Sequence, residues 1–350
     1  MEKIKDYFKE RDYKNSMQLK EILSHLPAFC DEYFIGIENR TTYLTRVGYA
    51  RDLQLFFNFL VSEIIDFSGK RVTDLQLSDL SKLTATHIEI YLNYLSSYYI
   101  NDKYYSNDTR AKSRKLSAIR SLLKYFFKKD KISSNVSEKV QTPKIRDKEI
   151  IRLEINEMVD LLNTIEDPKN TSKRQLSYNA ITRNRDVALL MLMLGTGIRV
   201  SECVGLNIGD VDFNTNAFVI TRKGGAKTIL YFSEEVASSL QIYLEERLAN
   251  EKVSKDETAL FLSLQNKRMS VRSVEKLVKK YSEMAVPLKH ITPHKLRSTF
   301  GTNLYRETGD IYLVADVLGH KDVNTTKKHY AAISEDARKN VAKIIKLRDN

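Results

Sequence analysis

Residue types that staple or interrupt a chain are scarce here: 350 residues hold two cysteines, five prolines and twelve glycines. Cys30 and Cys203 make neither a disulfide framework nor a metal-ligand spacing, so a reducing compartment is expected and the cytoplasm is the default location. So little glycine and proline leaves small scope for long irregular loops. Long hydrophobic runs are missing too. The longest, Val187 to Leu194, falls far short of the ~20 residues a membrane helix needs. Met1 to Lys20 is too charged for a signal peptide. No internal repeat or low-complexity tract is visible.

What remains is an ordinary globular composition, 42% hydrophobic and 29% charged, long enough for two domains with their own cores. A net charge of +12 points to a polyanionic partner. Its distribution says more than its size. From Asn107 to Lys131 nine basic residues, among them Arg110, Lys112, Arg114, Lys115 and Arg120, face only Asp108 and Asp130. The rest of residues 1–143 is slightly acidic.

Periodicity divides the chain. Thr42 to Val61 carries Tyr43, Val47, Ala50, Leu53, Phe57 and Leu60 at helical steps, and Thr84 to Leu95 repeats the pattern with Ile88, Tyr91, Leu92 and Leu95. Asn107 to Lys129 alternates its basic residues with a stripe of Leu116, Ile119, Leu122, Leu123 and Phe126. A helix with an apolar stripe and a basic outer face suits a phosphate backbone, although a merely solvated face fits the pattern equally well. Between Ser133 and Lys148 the period is lost, and Pro143 marks the boundary: residues 1–143 as a helical domain, 144–149 as linker, 150–350 as a second domain.

That second domain mixes elements. Asn184 to Leu194 reads as a buried helix stopped by Gly195-Thr196-Gly197, and Ala217 to Thr221 with Thr228 to Phe232 reads as a hairpin around a Gly-rich tip. Further helices are expected at Glu234–Asn250, Ser270–Met284, His294–Thr308, Ile311–Leu318 and Ser334–Lys346. The fold class is therefore mainly α with a small antiparallel sheet (α+β).

Four islands interrupt this regularity. They are Gly195-Thr-Gly-Ile-Arg199-Val-Ser-Glu202, the hairpin tip Thr221-Arg-Lys223-Gly-Gly225, Thr292-Pro-His294-Lys-Leu-Arg297, and Leu318-Gly-His320-Lys-Asp followed by His329-Tyr330. Alone, each has an ordinary reading: a surface arginine, a solvated turn lysine, a helix-capping histidine, one core tyrosine among 19. Four of six histidines fall near the C-terminal end, but no His or Cys pair has structural-zinc spacing.

Together, the order Arg199, Lys223, His294-x-x-Arg297, Leu-Gly-His320, Tyr330 resembles the tyrosine recombinase, or phage-integrase, family. Arg183-Asn-Arg-Asp186, Ala259-Leu-Phe-Leu-Ser263 and Ser273-Val-Glu-Lys276 narrow the likeness to Xer recombinases, most of all the XerS-like branch that works as a single protein. The first domain, with Leu116-Ser-Ala-Ile119 in its basic helix, is similar to that family's core-binding domain.

The resemblance implies DNA cleavage and rejoining through a 3′-phosphotyrosyl link at Tyr330, with no metal and no cofactor. Tyrosine is a poor nucleophile near neutrality, with a pKa of about 10, so it needs a strongly positive pocket and a proton acceptor. Arg199 and Arg297 would clamp the non-bridging oxygens and His320 would add a hydrogen bond. Lys223 would protonate the departing 5′ oxygen, and His294 would accept the tyrosine proton or position the phosphate. Glu202 and Asp210 read as structural partners of the arginine site. His320 and Tyr330 stand one residue further apart than in most relatives, which keeps Tyr312 as an alternative nucleophile and His329 as an alternative base. Ser298 replaces a histidine frequent in relatives.

As partners the resemblance implies double-stranded DNA with a roughly palindromic site, a two-domain clamp, and a homotetramer on DNA from a chain that is monomeric in free solution. No membrane partner is expected. The implied role is chromosome dimer resolution at a dif-like site. A mobile-element integrase, a type IB topoisomerase and a non-catalytic DNA-binding regulator are the alternatives.

Overall fold

In the computed structural model, residues 6–144, 151–168, 172–222, 225–320 and 322–323 are described. The chain splits into two compact units, Met1–Asp147 and Lys148–Asn350. No helix among the described residues is long and apolar enough to cross a membrane.

The first unit contains α1 (Tyr7–Leu23), α2 (Phe29–Gly36), α3 (Tyr43–Glu63), α4 (Ala85–Tyr94), the strands β1 (Tyr98–Ile100) and β2 (Lys103–Tyr105), and α5 (Thr109–Phe127). Side-chain caps set its helix starts. Thr42 accepts from the Thr45 amide ahead of α3, Thr84 from His87 ahead of α4, and Asp108 from Ala111 ahead of α5. The stripes expected from periodicity are the buried ones: Val47, Ala50, Leu53, Phe57 and Leu60 of α3 pack with Leu116, Ile119, Leu122, Leu123 and Phe126 of α5 in one core.

Periodicity predicts no strand in this unit, yet β1 and β2 pair antiparallel, Tyr98 opposite Tyr105 and Tyr99 opposite Tyr104. Two residues, Asn101 and Asp102, make the turn with φ of 47° and 59°. Asn and Asp tolerate this left-handed backbone, which matches the twist of a two-residue hairpin. Three-residue strands are too short to show a period of two, which is why the pattern hid them.

The second unit contains α6 (Ile155–Glu166), α7 (Lys173–Thr196), the short α8 (Val200–Cys203), β3 (Val211–Asp212), β4 (Ala217–Thr221), β5 (Lys227–Tyr231), α9 (Glu234–Ala249), α10 (Val271–Ala285), α11 (Pro293–Thr308) and α12 (Ile311–Leu318). The sheet runs β3-β4-β5, antiparallel throughout, with Thr221 opposite Lys227 at the end of the hairpin. Helix α7 starts well before Asn184, because Ser172 caps it by accepting from the Gln175 amide. Its first two turns are polar and largely exposed, so no apolar period announced them. Asp186 then ties α7 to α10 inside the core, accepting from the Tyr281 hydroxyl at 2.9 Å and from Arg185 Nε at 2.8 Å. The segment Ser334–Lys346, expected as a terminal helix, lies outside the described residues.

Candidate active site

The end of α7 decides where the first arginine goes. Gly197 has φ of 61°, a left-handed backbone, and a Cβ there would run into Phe300 and Leu318. The helix therefore stops, and Arg199 emerges two residues later as the N-cap of α8. Glu202, 4% exposed, accepts the Arg199 amide at 3.0 Å and Arg199 Nη1 at 2.9 Å. One buried carboxylate thus fixes both the backbone and the guanidinium of Arg199, and Glu202 is the structural partner expected. Asp210 is not. It accepts the Asn207 amide at 2.8 Å and caps its own turn, the Asn-x-x-Asp spacing being that of a capping box.

Arg297 comes from α11, which Pro293 opens at its first turn. Its side chain is buried and donates to Gly197 O at 2.5 Å and to Leu318 O. His294, one turn earlier on α11, is exposed, and its carbonyl accepts from the Ser298 hydroxyl at 3.0 Å. The Thr-Pro-His-x-x-Arg island thus places a solvent-facing histidine and a buried arginine on one helix.

The third component is the C-terminal turn of α12. His320 N donates to Ala315 O at 2.9 Å and Gly319 N to Asp316 O at 2.8 Å, with Gly319 at φ of 59°. This left-handed ending turns His320 away from the helix and leaves the carbonyls before it unused by the helix itself. Arginines take them: Arg199 Nη2 donates to Gly319 O at 3.0 Å, Arg297 to Leu318 O, and Arg222 Nη2 to Val317 O at 2.8 Å. Three cations therefore meet three successive carbonyls at the negative end of a helix dipole.

Sequence alone does not single out Arg222. It stands beside Lys223 in the hairpin island, and the signal that would have found it is Gly319: a Cβ at Gly319 would land on the Arg222 guanidinium. Lys223, Tyr330 and His329 lie outside the described residues. Tyr312 is described: it sits in the first turn of α12, 71% exposed, at the far end of that helix from Gly319, roughly 10 Å by helical rise. Cys203, buried beside this site on α8, is held protonated, its pKa pushed up to about 12 by burial and by the Glu202 charge.

The basic helix α5 is less uniform than its sequence. Arg110 is exposed, and Lys112 Nζ reaches Ser96 Oγ at 2.6 Å. Arg114 and Lys115 both turn to Asp52, a carboxylate of α3 that is 2% exposed; Arg114 Nη2 lies at 2.7 Å and Lys115 Nζ at 3.0 Å. Lys115 is itself buried, whereas the Arg114 side chain stays 54% exposed. Arg120 turns inward, donating to Val140 O and Thr142 Oγ1, each at 2.6 Å. Of the five basic residues expected to contact DNA, Lys115 and Arg120 thus turn to acceptors within the unit. The alternation of charge and stripe could not reveal this, because the acceptors come from α3 and from the segment after α5.

Comparison with known proteins follows the same lines. Residues 151–336 match the phage integrase family. The chain is 31% identical over 325 residues to the tyrosine recombinase XerC of Caldanaerobacter subterraneus subsp. tengcongensis, covering 90% of this chain and 85% of that one. It is also 31% identical over 360 residues to the tyrosine recombinase XerS of Lactococcus lactis subsp. cremoris, covering 94% and 98%. In fold it is similar to the XerH site-specific recombinase in a post-cleavage complex with a palindromic difH substrate, with a TM-score of 0.63 at 20% identity over 86% of this chain and 80% of that one. A family match over the second unit and full-length relatives at this identity make the chain a member of the phage integrase family, a site-specific DNA recombinase of the tyrosine type.

Proposed function

We propose that this recombinase cuts and rejoins duplex DNA through Tyr330 at a short, roughly palindromic site, and that it resolves chromosome dimers in the manner of a single-protein Xer system. The observation that carries the reading is the meeting of Arg199, from the start of α8, and Arg297, from α11, at adjacent carbonyls of the turn that presents His320. Planar, permanently charged guanidinium groups at such a point suit a phosphate with developing negative charge. The likeness to XerS along nearly the whole of both chains favours the Xer role over a mobile-element integrase.

In this mechanism the Tyr330 hydroxyl oxygen attacks the scissile phosphorus and the bond to the 5′ oxygen breaks. The tyrosine proton passes to His294, whose exposed position leaves it accessible to substrate. Lys223 gives a proton to the departing 5′ oxygen. The phosphodiester energy is kept in the phosphotyrosine, and a 5′-hydroxyl from the partner strand reverses the attack. Arg199, Arg297 and His320 hold the phosphate oxygens in both directions. On α5, Arg110, Lys112 and the exposed part of Arg114 contact the backbone of the DNA.

Covalent capture tests this. Wild-type protein incubated with genomic fragments should become linked to DNA, and sequencing of the linked ends should converge on one chromosomal site with inverted half-sites. Tyr330→Phe should bind the same fragment and form no adduct. Adduct formation at the wild-type level by Tyr330→Phe would move the nucleophile elsewhere, and captured ends that map to the termini of a mobile element would replace the Xer role.

A further inference from the structure

Arg222 has an unusual set of surroundings for a surface-derived arginine. Its backbone closes the hairpin: Arg222 N donates to Ala226 O at 2.8 Å, and Arg222 O accepts from Gly225 N at 3.0 Å. Its side chain then crosses to α12, where Nη2 donates to Val317 O at 2.8 Å and the guanidinium packs into the space left by the missing side chain of Gly319. Nε and Nη1 are buried without a hydrogen-bond partner among the described residues. Burial lowers its pKa; Glu202 opposes this, and the nearby Arg199 charge lowers it further.

An arginine kept only for stability fits this poorly. Each buried donor left unsatisfied carries a desolvation cost, and a second cation close to Arg199 adds repulsion. An apolar side chain of similar length would fill the same space without either cost. What the arginine supplies is a rigid link between two loops that bear chemistry. One end is the hairpin backbone immediately before Lys223; the other is the carbonyl row whose next members hold Arg297 and Arg199.

We propose that Arg222 is a positioning residue for strand cleavage, coupling the β4–β5 hairpin to the α12 turn so that the acid and the phosphate clamp are held in one register. The inference rests on the reading of Lys223 as the general acid. Arg222 acts through its neighbours and touches no reacting atom.

The experiment compares two nicked duplexes of the captured target sequence, one with an ordinary phosphodiester and one with sulfur as the 5′ leaving atom. Sulfur departs without protonation, so a defect in acid delivery disappears on that substrate whereas a defect in folding or DNA binding does not. Arg222→Ala should cleave the ordinary duplex about 10²-fold more slowly, the loss expected for a catalytic group displaced by about 1 Å, and should approach the wild-type rate on the sulfur duplex. Lys223→Ala, run alongside, should show the same pattern with a larger defect. Should Arg222→Ala fail to fold, Arg222→Met keeps an unbranched side chain in that space, offers no donor to Val317 O and carries the same comparison. Wild-type cleavage of the ordinary duplex by the Arg222 variant overturns the positioning role. So does an equal loss on both duplexes while Lys223→Ala is rescued. If Lys223→Ala itself gains nothing from sulfur, the acid assignment falls, and the role given to Arg222 falls with it.

Discussion

At the scale of single residues, the direction in which a charge points matters more than its presence. Arg110, Lys112, Arg114, Lys115 and Arg120 are alike in sequence, but Lys115 is drawn under the surface by Asp52 and Arg120 staples the segment after α5. The same logic applies to carboxylates. Asp79 in the first unit is 4% exposed and accepts from Lys70 Nζ with both oxygens, at 2.7 and 2.8 Å, and from the Gln76 amide at 2.9 Å. Burial pushes its pKa up, but Lys70, the Gln76 amide and Lys82 outweigh burial and bring it down to about 2. A lowered carboxylate pKa means that the folded state prefers the ionised form. The stabilisation is therefore complete above the unfolded value near 4 and fades as pH falls through about 2. Asp79→Asn should cost the first unit about 2 kcal/mol near neutral pH, measured by urea unfolding, and the gap to wild type should narrow as the pH is lowered below about 4. A gap that stays constant across that range would show that the Asp79 charge contributes nothing to stability.

At the scale of elements, α5 does two jobs with two faces. Its stripe builds the core, and its first turns expose Arg110 and leave Lys112 half-exposed against Ser96. If those turns lie on a phosphate backbone, replacing both residues by alanine should lower the slope of log K against log salt by about 1.8, which is about 0.9 for each phosphate no longer neutralised, while leaving the unfolding midpoint near that of wild type. Arg120→Ala should do the opposite, shifting the midpoint downward because its bonds to Val140 and Thr142 are gone. An unchanged salt slope in the double variant would mean that this face is only solvated. Helix α12 shows how an element end becomes a site. Its left-handed ending leaves a row of carbonyls at which three arginines from different parts of the chain converge.

At the scale of the whole molecule, strand exchange requires several active sites to act in order, and the sequence offers one candidate device. In the segment from Ser334, Ala337, Val341, Ile344 and Ile345 are spaced as one apolar stripe. A short helix, which is what that spacing predicts, is marginal by itself in water, so such a stripe would need a docking surface. Deleting residues 335–350 should leave binding to a single half-site nearly intact while reducing cooperative occupation of two half-sites, as read by gel shift, and synapsis with it. Loss of single-site binding would instead assign the segment to its own unit. Much of this protein is legible from sequence because its causes are local. Periodicity determined the stripes of α3 and α5, caps such as Thr42, Thr84 and Asp108 determined where helices begin, and the spacing of four islands determined the family. Other features rest on partners distant along the chain, and only the tertiary structure decided them. Lys115 and Arg120 turn inward because Asp52 and Val140 wait there, Asp210 caps its own turn while Glu202 takes Arg199, and Arg222 joins the site because Gly319 leaves room for it. A side chain's rotamer answers to whatever acceptor folding brings near it, and that neighbour is set by packing, which a linear pattern of polarity does not encode.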